Sequence, residues 1–264
     1  MHCKLKINKH IIEVYEYDKL NSSPMVLTED RSDYGESEDA GFNYYQTVKR
    51  RRKFVFDLAI ANFDCESSKF LTLSFAENMQ DLKEANKLFK KFLRKLKKEL
   101  KIDIKYLAVI EFQKRGAIHY HMLINIPYVP VKWLQSLWQH GSLKINKIKH
   151  VDNLGAYITK YMSKDNADDR LRKVKGYNCS QELERPKIIK SWRGDEKLIK
   201  ALIDQYDLKK EKAEFVHTLN TQDYGSISYL QFNLKRMKGG SQYQKDSNYY
   251  VRRDQKRSAH KNTL

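Results

Sequence analysis

Three cysteines, Cys3, Cys65 and Cys179, are all this 264-residue chain carries, and they form no CxxC pair. An odd, scattered set excludes a disulfide framework and a zinc ribbon, and it fits a reducing cytosol. No apolar run approaches the 18 or so residues of a membrane span. The opening stretch MHCKLKINKHIIEVYEY lacks the apolar core of a secretory leader, so none is expected. Internal repeats are absent. Prolines number only 4 against 17 tyrosines, which argues against disorder throughout. Acidic residues are also scarce beside basic ones: 33 face 51, leaving a net charge of +18. An excess of that size is the electrostatic footprint of nucleic-acid binding, and tyrosines add rings on which bases stack. The bland alternative is a basic surface that only keeps the chain soluble. With 41% hydrophobic residues, the chain can build a real core as one large domain or one domain with extensions.

Along the chain, residues 21–48 are acidic, Ser/Gly-bearing and weakly periodic, and read as a loop or flexible arm. After KRRRK (49–53), FVFDLAIANF reads as a strand, and SSKFLTLSFAEN (67–78) as another. Between 80 and 101, apolar residues recur at 82, 85, 88, 89, 92, 93, 96 and 100, the stripe of an amphipathic helix. Its other face is dense in lysine, a pattern more often solvated than binding. YLAVIEF (106–112) and AIHYHMLINI (117–126) read as strands, VKWLQSLWQH (131–140) as a short helix, and KINKIKHV (144–151) as a strand. NLGAYITKYMSKD (153–165) reads as a helix; a helical stretch follows 195, then a basic, tyrosine-bearing tail. The order strand–helix–strand–strand–helix–strand is that of a split βαβ, giving an α+β fold with a mainly antiparallel, ferredoxin-like sheet and flanking helices.

The stretch EFQKRGAIHYH (111–121) carries the first chemical signal. Side chains alternate along a strand, so His119 and His121 share a face and Tyr120 takes the other. A three-residue hairpin loop prefers glycine at its last position, so Lys114–Arg115–Gly116 as the loop pairs Glu111 with His119. Glu111, His119 and His121 then converge. A two-residue loop would send the carboxylate to the opposite face. A His-x-His pair alone arises by chance in roughly a fifth of chains with this histidine content, so the opposed carboxylate matters. Two imidazoles and a carboxylate with open positions suit Mn2+ or Mg2+, although zinc would bind too.

The second signal is AYITKYMSK (156–164). Tyr157 and Tyr161, at i and i+4, share a helical face, and each is followed three residues later by a lysine, Lys160 and Lys164. On a helical wheel Leu154, Ile158, Tyr161 and Met162 form the apolar stripe, with Tyr157, Lys160 and Lys164 along its polar edge. Core packing is the plain reading of two tyrosines, and it is weaker for Tyr157 among lysines. A tyrosine can attack as a covalent nucleophile where a bound metal neutralises the phosphate it approaches.

These residues resemble the HUH endonucleases, in particular the rolling-circle replication initiators of small plasmids and single-stranded DNA phages. FLTLSF (70–75), HYH (119–121) and YITKYMSK (157–164) occur in that family's order, and LWQHGSLKINKI is similar to the segment joining its second and third motifs. The resemblance covers about residues 52–190. It implies an arm over 1–50, an endonuclease domain over 51–195 and a helical, basic extension over 196–264. It further implies metal-dependent nicking of single-stranded origin DNA or a hairpin, leaving a 5′-phosphotyrosine and a free 3′-hydroxyl. Glu111, His119 and His121 would be the ligands of Mn2+ or Mg2+, Tyr157 and Tyr161 the nucleophiles, and Lys160 and Lys164 their helpers. No P-loop is present, so a host helicase and polymerase would be partners, in the cytoplasm of a bacterial host. Thr72 and Ser74 are read as structural. The alternatives are an HUH transposase with the same chemistry and an RRM-like protein that binds nucleic acid without cutting it.

Overall fold

In the computed structural model, the described residues are 2–19, 40–162, 169–171, 174–221 and 225–237. Among them, ten strands and six helices follow one another in an order that builds two five-stranded antiparallel sheets. His2–Asn8 (β1) and Ile11–Tyr17 (β2) make a hairpin, and Ala40–Asn62 is the long helix α1. Lys69–Ser74 (β3), Leu82–Leu100 (α2), Tyr106–Phe112 (β4), Ile118–Ile124 (β5), Val131–Trp138 (α3) and Leu143–Asn146 (β6) come next. Leu154–Thr159 (α4) tightens into a 3-10 turn over Lys160–Met162. Tyr177–Cys179 (β7), Lys187–Lys190 (β8), Glu196–Tyr206 (α5), Phe215–Thr221 (β9), Gly225–Asn233 (β10) and Leu234–Met237 (α6) complete the order.

The first sheet runs β6-β3-β5-β4-β7. Its segment β3–α2–β4–β5–α3–β6 has the connectivity and strand order of the split βαβ unit, as the sequence predicts. One face is closed by α2 and α3, where Phe89, Phe92, Leu96, Leu134 and Trp138 bury against Ala108, Ile110, Tyr120 and Met122. Asp81 caps α2 by accepting from the backbone N–H groups of Lys83 and Glu84, and the lysine-rich face of that helix points to solvent. The opposite face receives α1 and α4, with Val55, Leu58, Ala59, Leu154 and Ile158 packed on Phe70, Leu107, Val109 and Leu123.

The second sheet, β8-β1-β2-β10-β9, corrects the expectation of an arm over 1–50 and of a merely helical, basic extension over 196–264. In HCKLKIN, Cys3, Leu5 and Ile7 alternate with His2, Lys4 and Lys6, the period of a half-buried strand. Its apolar face, with Leu5, Ile12, Val14 and Phe232, packs on Ile199 of α5. Its other face meets α1 through a buried ionic network. Lys6 and Lys53 each pair with both Glu13 and Asp57, the Tyr229 hydroxyl donates to Glu13 at 2.6 Å, and Asn8 donates to the Asp57 carbonyl at 2.9 Å.

FVFDLAIANF, expected as a strand, is therefore helical, the last part of α1. That helix lies between the two sheets, so Val55, Leu58, Ala59, Ile60 and even Asp57 are all buried. Burial on both sides erases the one-sided stripe that marks a helix in sequence. The strand expected over 144–151 ends at Asn146, and the helix expected over 153–165 ends as an α-helix at Thr159. Most of the acidic stretch 21–48 lies outside the described residues; 40–48 belong to α1. Among the described residues no helix is long and apolar enough to cross a membrane.

Candidate metal centre and tyrosine helix

The hairpin between β4 and β5 turns on Lys114–Arg115–Gly116. Gly116 sits at φ +89°, the left-handed region, and the Gln113 N–H donates to the Ala117 carbonyl at 2.9 Å. The ladder then pairs Phe112 with Ile118, Glu111 with His119 and Val109 with His121. Glu111, His119 and His121 consequently project from one face, and their ligand atoms all lie within 4.8 Å of one another. His121 is buried, and Glu111 and His119 are half-buried. The nearest pair is His121 Nε2 and Glu111 Oε2 at 2.6 Å.

On the other flank of β5, Thr72 of β3 stands opposite His121 and Ser74 opposite His119. Thr72 Oγ1 lies 3.2 Å from His121 Nδ1 and accepts from Asn146 Nδ2 at 3.4 Å. With Nδ1 held by a hydroxyl, Nε2 is the nitrogen turned to the carboxylate, the tautomer-fixing contact usual around ligating histidines. The sequence reading of Thr72 as structural misses this contact; strand alternation together with its place in FLTLSF is the signal that puts it on the working face. The donor set is coherent for a divalent cation: two imidazoles and a carboxylate, close together, with one imidazole oriented from behind. Burial, together with the neighbouring His121 and the charge of Arg115, lowers the His119 pKa below its ordinary value, against the opposing pull of Glu111. A neutral His119 is the form that binds metal.

The tyrosines come to this cluster from the helix above the sheet. Asn153 caps α4 by accepting from the Ala156 N–H at 2.9 Å. Tyr157 sets its ring edge-on to Phe70, with centroids 4.8 Å apart. Tyr161 lies flat on His121, centroids 3.6 Å apart and planes within 12°. The Lys160 ammonium stands 4.0 Å from the Tyr157 ring centre and 5.0 Å from that of Tyr161. The wheel places Tyr161 toward the apolar stripe. The tightening at Lys160–Met162 instead carries it over the metal cluster. Burial raises the Tyr161 phenol well above its ordinary pKa, helped by Tyr157, which also hydrogen-bonds it, and by the Glu111 charge. Lys164 lies outside the described residues.

Fold and site together define an antiparallel α+β protein whose central hairpin gathers a His-x-His pair and a carboxylate beneath a two-tyrosine helix. A family model of replication-associated proteins, the ORF2 type, matches residues 68–166, a span that contains Glu111, His119, His121, Tyr157 and Tyr161. Neither the curated proteins nor the solved structures contain a match to this chain. All five strands of the second sheet lie outside the matched span.

Proposed function

We propose that the protein initiates DNA replication as a metal-dependent, tyrosine-nucleophile endonuclease and strand transferase acting on single-stranded DNA. The observation that carries this reading is the Tyr161 ring lying against His121 within the Glu111–His119–His121 cluster, inside the stretch matched by a replication-associated family. Glu111, His119 and His121 would hold Mn2+ or Mg2+, which when bound neutralises charge on a phosphate and orients it. The chain's own part is nucleophile and frame. A phenol oxygen of Tyr157 or Tyr161 bonds to the scissile phosphorus as the bond from phosphorus to the 3′ oxygen breaks. The phenol proton leaves, the departing 3′ oxygen takes up a proton, and a 5′-phosphotyrosine and a 3′-hydroxyl result. Lys160, above both rings, offers positive charge to the phosphate as it approaches, and Lys164 is proposed for the same duty. A freed 3′-hydroxyl primes synthesis by a host polymerase, with strand opening supplied by a separate helicase.

The test is incubation with Mn2+ and a library of single-stranded and hairpin oligonucleotides, followed by a denaturing gel. Adducts that resist denaturation, need the metal and vanish with chelator are expected. Binding that never yields a metal-dependent adduct would instead make the protein an RRM-like nucleic-acid binder.

A further inference from the structure

A helix of six residues has little stability of its own, so α4 lies where its surroundings hold it. Two contacts hold it. Gly155 rests on α1 so closely that a Cβ there would stand 2.7 Å from the Phe56 ring and 2.9 Å from the Phe56 carbonyl oxygen. The other contact is at the start of the helix, and it comes from the second sheet. Asp152, one residue before the Asn153 cap, is buried with its polar groups engaged on several sides. Its carbonyl accepts from His10 Nε2, in the β1–β2 turn, at 2.9 Å. Its carboxylate accepts from Asn233 Nδ2 of β10 at 3.2 Å and from the guanidinium of Arg236 of α6 through both Nε and Nη2, the latter at 2.9 Å. A forked guanidinium–carboxylate pair fixes orientation as well as distance. Glu214 holds the far side of Arg236 at 3.2 Å.

We propose that Asp152 and Arg236 are positioning residues for strand cleavage: through them the second sheet sets where α4 begins, and so where Tyr157 and Tyr161 lie over the histidines. This role rests on the nuclease reading, because it matters only if one of those tyrosines attacks. Each charge retains a partner when the other is removed, Glu214 for Arg236 and Asn233 for Asp152, so single substitutions are compatible with a folded chain.

In the full-length protein, Asp152→Asn and Arg236→Lys should leave the Kd for Mn2+ and for single-stranded DNA within about twofold of wild type. The single-turnover cleavage rate should fall about tenfold or more at unchanged KM, with Arg236→Lys the milder variant. A second readout needs no cleavage. Tyr161 stacked on His121 shifts the His121 ring protons upfield in NMR, and both variants should move those signals back toward ordinary values. Wild-type cleavage rates with unmoved His121 signals overturn the proposal. So does a fall in rate matched only by a lower melting temperature, with the signals unmoved, since that is a merely structural role. If wild type itself forms no adduct, the nuclease reading fails, and the His121 signals still decide whether Asp152 and Arg236 position the helix.

Discussion

Gly116 carries much of the metal cluster on one backbone angle. At φ +89° a side chain is strained, and a Cβ would meet the Gln80 side chain at 3.0 Å. Gly116→Ala should cost about 1–2 kcal/mol in urea unfolding and should weaken Mn2+ binding as the hairpin register loosens. Unchanged stability and metal affinity would show that the turn tolerates the strain. The cluster itself is tested at Glu111, whose carboxylate supplies the only negative charge among the three ligands. Glu111→Ala should weaken Mn2+ affinity by about 10–100-fold or more by calorimetry, and an unaltered Kd would remove Glu111 from the ligand set. At this scale the sequence is readable, because strand parity and one glycine suffice to bring Glu111, His119 and His121 together. The same parity holds Thr72 against His121. Its part is missed when a hydroxyl in a strand is taken as filling a pleat.

At the scale of elements, the tyrosine helix divides labour in a way the wheel alone does not. A regular helix would leave Tyr157 and Tyr161 one turn apart on a common face; the 3-10 turn gives Tyr161 the face of His121 and leaves Tyr157 edge-on to Phe70. Burial makes the Tyr161 phenol the harder one to ionise, and Lys160 stands closer to the Tyr157 ring. Tyr157→Phe should therefore abolish the first covalent adduct on a denaturing gel. Tyr161→Phe should still form that adduct but be slow in the second transfer. The opposite pattern would make Tyr161 the first nucleophile. Elements with one buried face, α2 and the strands β3 to β6, announce themselves by period. The last half of α1 does not, because sheets cover both its sides. The second sheet escapes for another reason: its neighbours β2 and β10 are joined across some two hundred residues, and no local pattern reports that pairing.

For the whole molecule, two histidines tie stability to acidity. Burial lowers the pKa of His10, with Lys235 adding to it, and burial likewise lowers that of His119. Unfolded histidines titrate near 6.5, so below about that pH the unfolded chain binds more protons than the folded one. The stability these groups contribute is present above about pH 6.5 and is lost as pH falls through their lowered folded values. The melting temperature of metal-free protein should fall between about pH 7.5 and about pH 5.5, and His10→Gln should flatten part of that slope. A midpoint indifferent to pH across this window would mean that neither ring is held neutral by the fold.

The second sheet also imposes an order in time. On a ribosome, β1 and β2 emerge before the metal-bearing sheet, whereas β8, β9 and β10 emerge after it. The split βαβ unit closes mostly short connections and is free to form early, while β2 must wait for β10 across a long loop. Asp152 meets Arg236 only then. Nascent chains stalled before Asn233 should thus bind Mn2+ yet cut DNA poorly, and chains stalled far enough past Met237 to expose it should cut at the full rate. A partly made chain would in that way hold its metal without being able to nick the DNA around it. Equal cleavage by both stalled forms would remove this safeguard.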